Sequence, residues 1–189
     1  MDLILASMSP RRLDLLHQIG VDPLKVCPAD IDETPFKGEK PSCYAMRMAV
    51  GKAEKIAALY PENFVLAADT VVACGRRILP KTQTRQEAAF SLDLLSGRRH
   101  TVYGGICLIS PGGKITTRLV KTAVVFSRIH EVDKQKYLDS EEWKGKAGGY
   151  AIQGLAALFV REIIGSYSNV VGLGLYETGA LLKGTGEIK

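Results

Sequence analysis

The chain has 189 residues, 46% hydrophobic and 24% charged, which is typical of one folded domain covering residues 1–189 and unlike a disordered protein. No apolar run approaches about 18 residues, and the first residues lack the pattern of a secretory signal, so we expect a cytoplasmic protein without a membrane span. The net charge of +5 favours an anionic partner, but few aromatic residues and no nucleic-acid-binding motif argue against DNA or RNA.

Strand and helix patterns alternate through the first half of the chain. The apolar periodicity predicts strands at 3–6, 24–27 and 64–73, and helices at about 10–19, 42–59 and 84–95. The 84–95 helix begins with a capping box, Thr84 followed by Glu87.

The second half is richer in strands. We predict a hairpin of strands 100–109 and 115–126, a helix at 132–140, a glycine-rich loop or strand edge at 145–154, a strand at 158–164 and a helix at 175–182. The whole pattern indicates a single α/β domain with a mixed sheet. The four cysteines lack C-x-x-C spacing and are expected to be buried free thiols, not zinc ligands: Cys27, Cys43, Cys74 and Cys107.

The segment from Ser7 to Arg12 joins the first predicted strand to the first predicted helix. Ser9 suits the N-cap and Pro10 the first helical position. Arg11 and Arg12 then lie in the first turn, where the helix dipole makes each cation unfavourable by about 0.3–1 kcal/mol. Hydroxyl groups, free N–H groups and two guanidinium groups together are typical of a phosphate site. The alternative is an ordinary cap with a solvated arginine pair.

Lys52 falls on the apolar face of the predicted 42–59 helix. A lysine on a buried face must either extend to solvent or meet a negative partner. Both interpretations are compatible with the sequence. The apolar residues that share this face are Ala45, Met48, Ala49 and Ile56.

Asp69 and Thr70 interrupt the apolar run at 64–73, which predicts a central, buried strand. An isolated carboxylate there is unfavourable by several kcal/mol unless it is paired, hydrogen-bonded or bound to a metal. Asp69 is therefore a candidate functional residue.

Two further charges are candidates for the same site. Glu33 lies in the acidic segment 30–34 and could share a hard cation with Asp69, although a solvated acidic turn explains Glu33 equally well. Lys81 follows a turn at Pro80 and is a cation without an obvious helical partner.

Gln153 lies in the glycine-rich segment 148–154. Glycines let a backbone approach a ligand closely, and a side-chain amide can recognise a base edge through a paired donor and acceptor. Loop geometry alone also accounts for such a segment.

Taken together, these motifs resemble the Maf family of nucleoside triphosphate pyrophosphatases. The matching segments follow the family's order and cover nearly the whole chain: Leu-Ala-Ser7-x-Ser9-Pro-Arg11-Arg12, Ala-Asp69-Thr70-Val, Gly-Tyr-Ala-Ile-Gln153-Gly154 and Gly165-Ser-Tyr-x-x-Val-Val-Gly172. The resemblance implies an elongated α/β domain like that of inosine triphosphate pyrophosphatase, usually dimeric. It also implies a cytoplasmic enzyme that cleaves a nucleotide between its α- and β-phosphates and needs Mg²⁺ or Mn²⁺.

The resemblance assigns roles by position. It makes Asp69 the general base, with Glu33, Lys52 and Lys81 in the charged catalytic cleft, and Asp69 together with Glu33 would hold the metal; Asp69 is compatible with either role or both. The phosphate-binding motif corresponds to Ser7, Ser9, Arg11 and Arg12. Base selection is linked to Thr70 and Gln153.

Gln153 resembles the branch of the family that acts on dTTP and UTP, whereas a branch that acts on 7-methyl-GTP tends to have glutamate there. An amide both donates and accepts, which matches the O4 and N3–H groups shared by uracil and thymine. A nucleotide-binding regulator of septum formation with weak catalysis is the alternative function.

The chain departs from the family at two places. It has Lys81-Thr82-Gln83-Thr84 where the family usually has Lys-Pro-Arg-Asp, which bears on the placement of Lys81. It also has glycine at Gly174, where the family usually has proline.

Overall fold

A mixed seven-stranded sheet forms the centre of the fold in the computed structural model, which describes residues 2–186. Its strands are β1 (Leu3–Ala6), β2 (Lys25–Val26), β3 (Phe64–Cys74), β4 (Arg77–Leu79), β5 (Arg99–Ile109), β6 (Ile115–Phe126) and β7 (Val160–Ile164). The order is β2-β1-β3-β5-β6-β7, and β4 also pairs with β3. β1 is parallel to β2 and β3, and every other pairing is antiparallel. The expected α/β class with a mixed sheet is confirmed.

The helices lie against this sheet and at its ends. They are α1 (Pro10–Gln18), α2 (Pro41–Ala57), α3 (Arg85–Leu95), α4 (Glu131–Asp139), α5 (Tyr167–Val171) and α6 (Leu175–Lys183), with a 3₁₀ turn at Leu155–Phe159. None of the helices within residues 2–186 has the length and apolar character needed to cross a bilayer.

Helix α2 packs closely against β3 and β5. Gly105 in β5 makes this approach possible, because a Cβ atom there would lie 2.2 Å from the carbonyl oxygen of Ala45. The close packing brings the buried face of α2, which includes Lys52, directly over the centre of β3.

Side chains of β3 alternate between the two faces of the sheet. Val65 and Ala67 belong to the core beneath α2, whereas Leu66 and Ala68 belong to the larger core on the opposite face. By the same alternation Asp69 lies on the α2 face.

Several details differ from the predicted elements. The short strand β4 and the five-residue helix α5 were not predicted, and the 3₁₀ turn replaces the first two residues of the strand expected at 158–164. The cysteines are free thiols, but only Cys107 is buried and Cys43 is exposed, so the expectation of four buried thiols was wrong.

Candidate active site

A cleft of about 610 Å³ opens where β3 lacks a neighbouring strand. β1 pairs with one edge of β3 as far as Ala67, and β4 pairs with the same edge only from Val72, while β5 occupies the other edge. Within residues 2–186, positions 68–71 therefore have no strand partner on this side. Asp69 and Thr70 lie in this gap and line the cleft.

Lys52 joins the two carboxylates of the cleft. Its Nζ lies 2.6 Å from Oδ1 of Asp69 and 2.6 Å from Oε1 of Glu33. Lys81 extends the chain of charges, with its Nζ 2.6 Å from Oε2 of Glu33. The side chains of Lys52 and Asp69 are almost fully buried, at 9% and 7% exposure. Lys52 thus meets negative partners and does not extend to solvent.

Glu33 remains ionised over a wide pH range in this arrangement. Burial raises the pKa of Glu33, but the hydrogen bonds from Lys52 and Lys81 outweigh burial and lower this pKa to about 2. The interpretation of Glu33 as a freely solvated acidic turn is therefore wrong.

Two side chains of α2 hold the segment that carries Glu33. The hydroxyl of Tyr44 donates to the carbonyl oxygen of Glu33 at 2.6 Å. Arg47 donates to the carbonyl oxygen of Thr34 at 3.0 Å and to both carboxylate oxygens of Glu39 at 2.8 and 2.7 Å. Its guanidinium also lies 3.8 Å from the ring centre of Phe36.

The guanidinium of Arg12 is fixed by groups from three segments. It donates to the hydroxyl oxygens of Ser7 at 3.0 Å and Thr70 at 3.1 Å, and its Nε donates to the carbonyl oxygen of Gly172 at 2.9 Å. Arg11 donates to the carbonyl oxygen of Val171 at 3.3 Å. The end of α5 presents carbonyl oxygens without helical partners, and these offset the cost of two cations at the start of α1.

The hydroxyls of Ser7 and Ser9 and the amide of Gln153 differ in their burial and in their hydrogen bonds. Ser7 is buried and accepts the N–H of Ser9 at 3.1 Å. Ser9 is the N-cap of α1, as predicted, but its hydroxyl makes no capping hydrogen bond. Gln153 is exposed and lines the cleft.

The structure brings all ten predicted site residues to the walls of this one cleft: Ser7, Ser9, Arg11, Arg12, Glu33, Lys52, Asp69, Thr70, Lys81 and Gln153. Lys146 and Gln83 also line it, and the sequence analysis missed both. A lysine and a glutamine in loops resemble ordinary solvated residues, and no local pattern distinguishes them. With Lys146, five cations face two carboxylates across the cleft.

The first departure from the family pattern does not displace Lys81. Thr82 is buried and anchors this segment by two hydrogen bonds. Its N–H donates to the carbonyl oxygen of Lys146 at 3.2 Å, and its hydroxyl donates to the carbonyl oxygen of Trp143 at 2.6 Å. Thr84 forms the predicted capping box with Glu87. At the second departure, Gly174 is the N-cap of α6.

Comparisons with known proteins identify the family of the chain. The family model described as "Maf-like protein" matches residues 2–185. A protein of Paramagnetospirillum magneticum named dTTP/UTP pyrophosphatase is 60% identical over 184 residues, covering 97% of each chain. A protein of Mesorhizobium japonicum with the same name is 57% identical, covering 97% of this chain and 91% of the relative.

A solved structure supports the fold. The HAM1 protein of Coxiella burnetii aligns with a TM-score of 0.53 and 17% identity, covering 97% of this chain and 99% of that protein. This likeness concerns the architecture alone, whereas the family match and the sequence relatives extend over nearly the full length. The chain belongs to the Maf family.

Proposed function

We propose that this protein hydrolyses dTTP and UTP between the α- and β-phosphates, releasing the nucleoside monophosphate and pyrophosphate. The relatives described above carry the name of this activity at 57–60% identity. The reaction removes nucleotides from the pool, which is a housecleaning role.

The observation that carries the proposal is the distribution of charge in the cleft. Asp69 and Glu33 lie on either side of Lys52, and the other cations line the surrounding walls. A triphosphate needs cations along its length, and hydrolysis needs a base at the phosphorus that is attacked. This cleft supplies both within about 610 Å³.

Asp69 is the base in this proposal. It accepts a proton from the water that attacks the α-phosphorus, and Lys52 holds the carboxylate in place through Oδ1. Arg12 and Lys81 stabilise the negative charge that develops as the bond to the pyrophosphate breaks. Arg12 is well suited to this work because its hydrogen bonds fix the guanidinium before substrate arrives.

The carboxylates also fit a divalent cation. Mg²⁺ prefers hard oxygen ligands and commonly uses one or two carboxylates together with substrate phosphates. Glu33 and Asp69 provide such a pair, and no larger group of metal-binding side chains occurs in residues 2–186. We assign Mg²⁺ or Mn²⁺ to these two residues, where the cation would neutralise charge on the phosphate chain.

Gln153 selects the nucleobase of the substrate in this proposal. Its amide can donate to O4 and accept from N3–H of uracil or thymine, and it is exposed on the cleft wall where a base can reach it. Glutamate at this position could only accept, which suits the N–H groups of guanine.

We also propose that the protein is a homodimer that works in the cytoplasm. Strand β7 is at the edge of the sheet, and apolar side chains on or beside it are exposed, with Leu158 at 81% and Ile164 at 46%. Such an edge is a natural association surface. Four free thiols suit a reducing compartment. Light scattering should give twice the chain mass of 20.5 kDa, and a single-chain mass would contradict the dimer.

The test of the activity is pyrophosphate release from dTTP, UTP, CTP and 7-methyl-GTP, in Mg²⁺ and in Mn²⁺. We expect selective turnover of dTTP and UTP that stops when the metal is chelated. Selective turnover of 7-methyl-GTP would overturn the proposal that the enzyme selects uracil and thymine nucleotides. Binding of nucleotides without turnover of any of them would favour a regulatory protein.

A further inference from the structure

Among the described residues, three cations of the cleft lack a carboxylate partner: Arg11, Arg12 and Lys146. Arg12 is held instead by the hydroxyls of Ser7 and Thr70 and by the carbonyl oxygen of Gly172. Lys52 and Lys81 are paired with Asp69 or Glu33. The hydrogen bonds of Arg11 and Lys146, in contrast, go only to backbone carbonyl oxygens, at 3.3 and 3.2 Å. Within the described residues, neither has an ion pair.

Lys146 lines the same cleft as Arg11 and is partly buried there. Burial lowers the pKa of Lys146, and the positive charge of Arg11 lowers it further, whereas Glu142 opposes the effect more weakly. Glu142 is itself committed elsewhere, since its carboxylate accepts the N–H of Leu155 at 2.8 Å. Arg11 and Lys146 line the same cleft, and like charges there repel each other until an anion lies between them.

The backbone around Lys146 is held firmly, so its position is defined by the fold. Gly145 donates its N–H to the carbonyl oxygen of Thr82 at 2.8 Å, and Gly148 donates to that of Pro80 at 3.1 Å. An isolated bridge also pairs Ala147 with Lys81. Lys146 and the catalytic-cleft residue Lys81 are therefore carried by two adjoining segments.

We propose that Arg11 and Lys146 form a subsite for the pyrophosphate part of the substrate, with Lys146 as a phosphate-binding residue. This inference rests on the proposed function. Of the products, pyrophosphate carries the higher charge, and it belongs where cations are not already neutralised by carboxylates. The uracil or thymine ring is neutral and does not need this pair.

The test measures binding of inorganic pyrophosphate and of dTMP by calorimetry in Mg²⁺. Lys146→Met removes the charge but keeps an unbranched side chain. We expect it to weaken pyrophosphate binding by about tenfold, the effect of losing one charge-assisted hydrogen bond, and to change dTMP binding less than about twofold. Lys146→Arg should restore most of the affinity.

Lys144→Met is the matched control. Lys144 lies two residues away, pairs with Glu141 at 2.7 Å and is not among the residues lining the cleft, so its loss should leave both affinities unchanged. Unchanged pyrophosphate binding in Lys146→Met would overturn the subsite, as would weaker binding of dTMP alone. Because binding is measured without turnover, a wild-type protein that binds pyrophosphate but hydrolyses nothing would overturn the proposed function and leave the subsite standing.

Discussion

Lys52 is the residue that lets two carboxylates share a small, partly buried space. Asp69 and Glu33 each lie 2.6 Å from its Nζ, so neither negative charge is isolated from a positive one. Breaking a buried ion pair by removing one partner is typically unfavourable by about 3–5 kcal/mol, because the remaining charge is left uncompensated. A buried lysine on the apolar face of α2 is therefore explained by its partners on β3 and in the segment that carries Glu33.

Asp69→Asn tests the role of the base. Asparagine keeps the shape of the side chain but cannot take a proton from water, so we expect kcat to fall by about 10²–10⁴-fold while nucleotide binding largely survives. Pyrophosphate release and calorimetric binding of dTMP measure the two effects. Turnover close to that of the wild type would refute the assignment.

Gln153→Glu tests whether Gln153 recognises the nucleobase of the substrate. The carboxylate cannot donate to O4, and an unpaired polar group costs about 1–3 kcal/mol, so kcat/KM for dTTP and UTP should fall by about 10- to 100-fold. Gln83→Glu is the matched control, since Gln83 also lines the cleft and the substitution adds the same charge. An unchanged ratio of kcat/KM values across the nucleotide panel would remove Gln153 from base selection.

At the level of elements, the segment 27–40 is important because it carries Glu33 without containing any helix or strand. Its position depends on contacts with α2, above all on Arg47, which contacts Thr34, Phe36 and Glu39. A bidentate arginine–carboxylate pair fixes geometry better than a lysine could.

Arg47→Met should therefore impair catalysis from outside the cleft. We expect kcat/KM to fall by about 10- to 100-fold, because a displacement of a catalytic group by about 1 Å can cost that much. Hydrogen exchange should become faster at amides of residues 33–39 and stay unchanged in β3. Arg47→Lys should recover only part of the activity.

The control for this variant is Arg76→Met, which changes an exposed arginine in the turn between β3 and β4 that does not line the cleft. It should leave activity and exchange unchanged. Equal loss of protection throughout the sheet in Arg47→Met would indicate general destabilisation and contradict a positioning role.

The elements with a strong local signal could be predicted from the sequence. Helix α3 begins at its capping box, and β3 coincides with a long apolar run of the sequence. Helix α5 has only five residues, including two β-branched valines, and it forms because the Ser166 side chain accepts the N–H of Asn169 and because Asn169 is fully buried. That burial depends on tertiary packing, so no local sequence pattern predicts the helix.

The same reasoning applies to the site. Asp69 and Lys52 could be predicted as site residues because a charged side chain in an apolar pattern is unfavourable without a partner. The sequence did not show which residue that partner is. Lys146 was not predictable, since it reaches the cleft through the bridge between Ala147 and Lys81, residues far apart in the chain.

For the whole molecule, the cleft is a product of sheet topology. β1 and β4 occupy the same edge of β3 and leave positions 68–71 between them, so the gap exists only once three strands have paired. The loop after β1, the segment with Glu33 and the loop at 145–153 converge on this gap. Catalytic geometry and global stability are therefore linked, and conditions that weaken the sheet should also affect the site.

Acid is one such condition, because of His100. This residue of β5 is buried against Phe126 and Tyr150, with its Nε2 2.8 Å from the Tyr150 hydroxyl. Burial lowers its pKa from 6.5 to about 4. Between these values the unfolded chain binds a proton that the folded chain does not, so the free energy of unfolding should rise with pH across this window, by at most about 3 kcal/mol.

His100→Phe should remove this dependence. Phenylalanine keeps a ring against Phe126 but cannot titrate, and it leaves the Tyr150 hydroxyl without its partner, so the variant should be less stable at pH 7 by about 1–3 kcal/mol. Urea unfolding at several pH values measures both effects. Glu33 does not confuse the result, because its lowered pKa contributes stability that is lost only as the pH falls from about 4.5 to about 2. If the slope between pH 4 and 6.5 is the same in the variant as in the wild type, acid sensitivity arises elsewhere in the molecule.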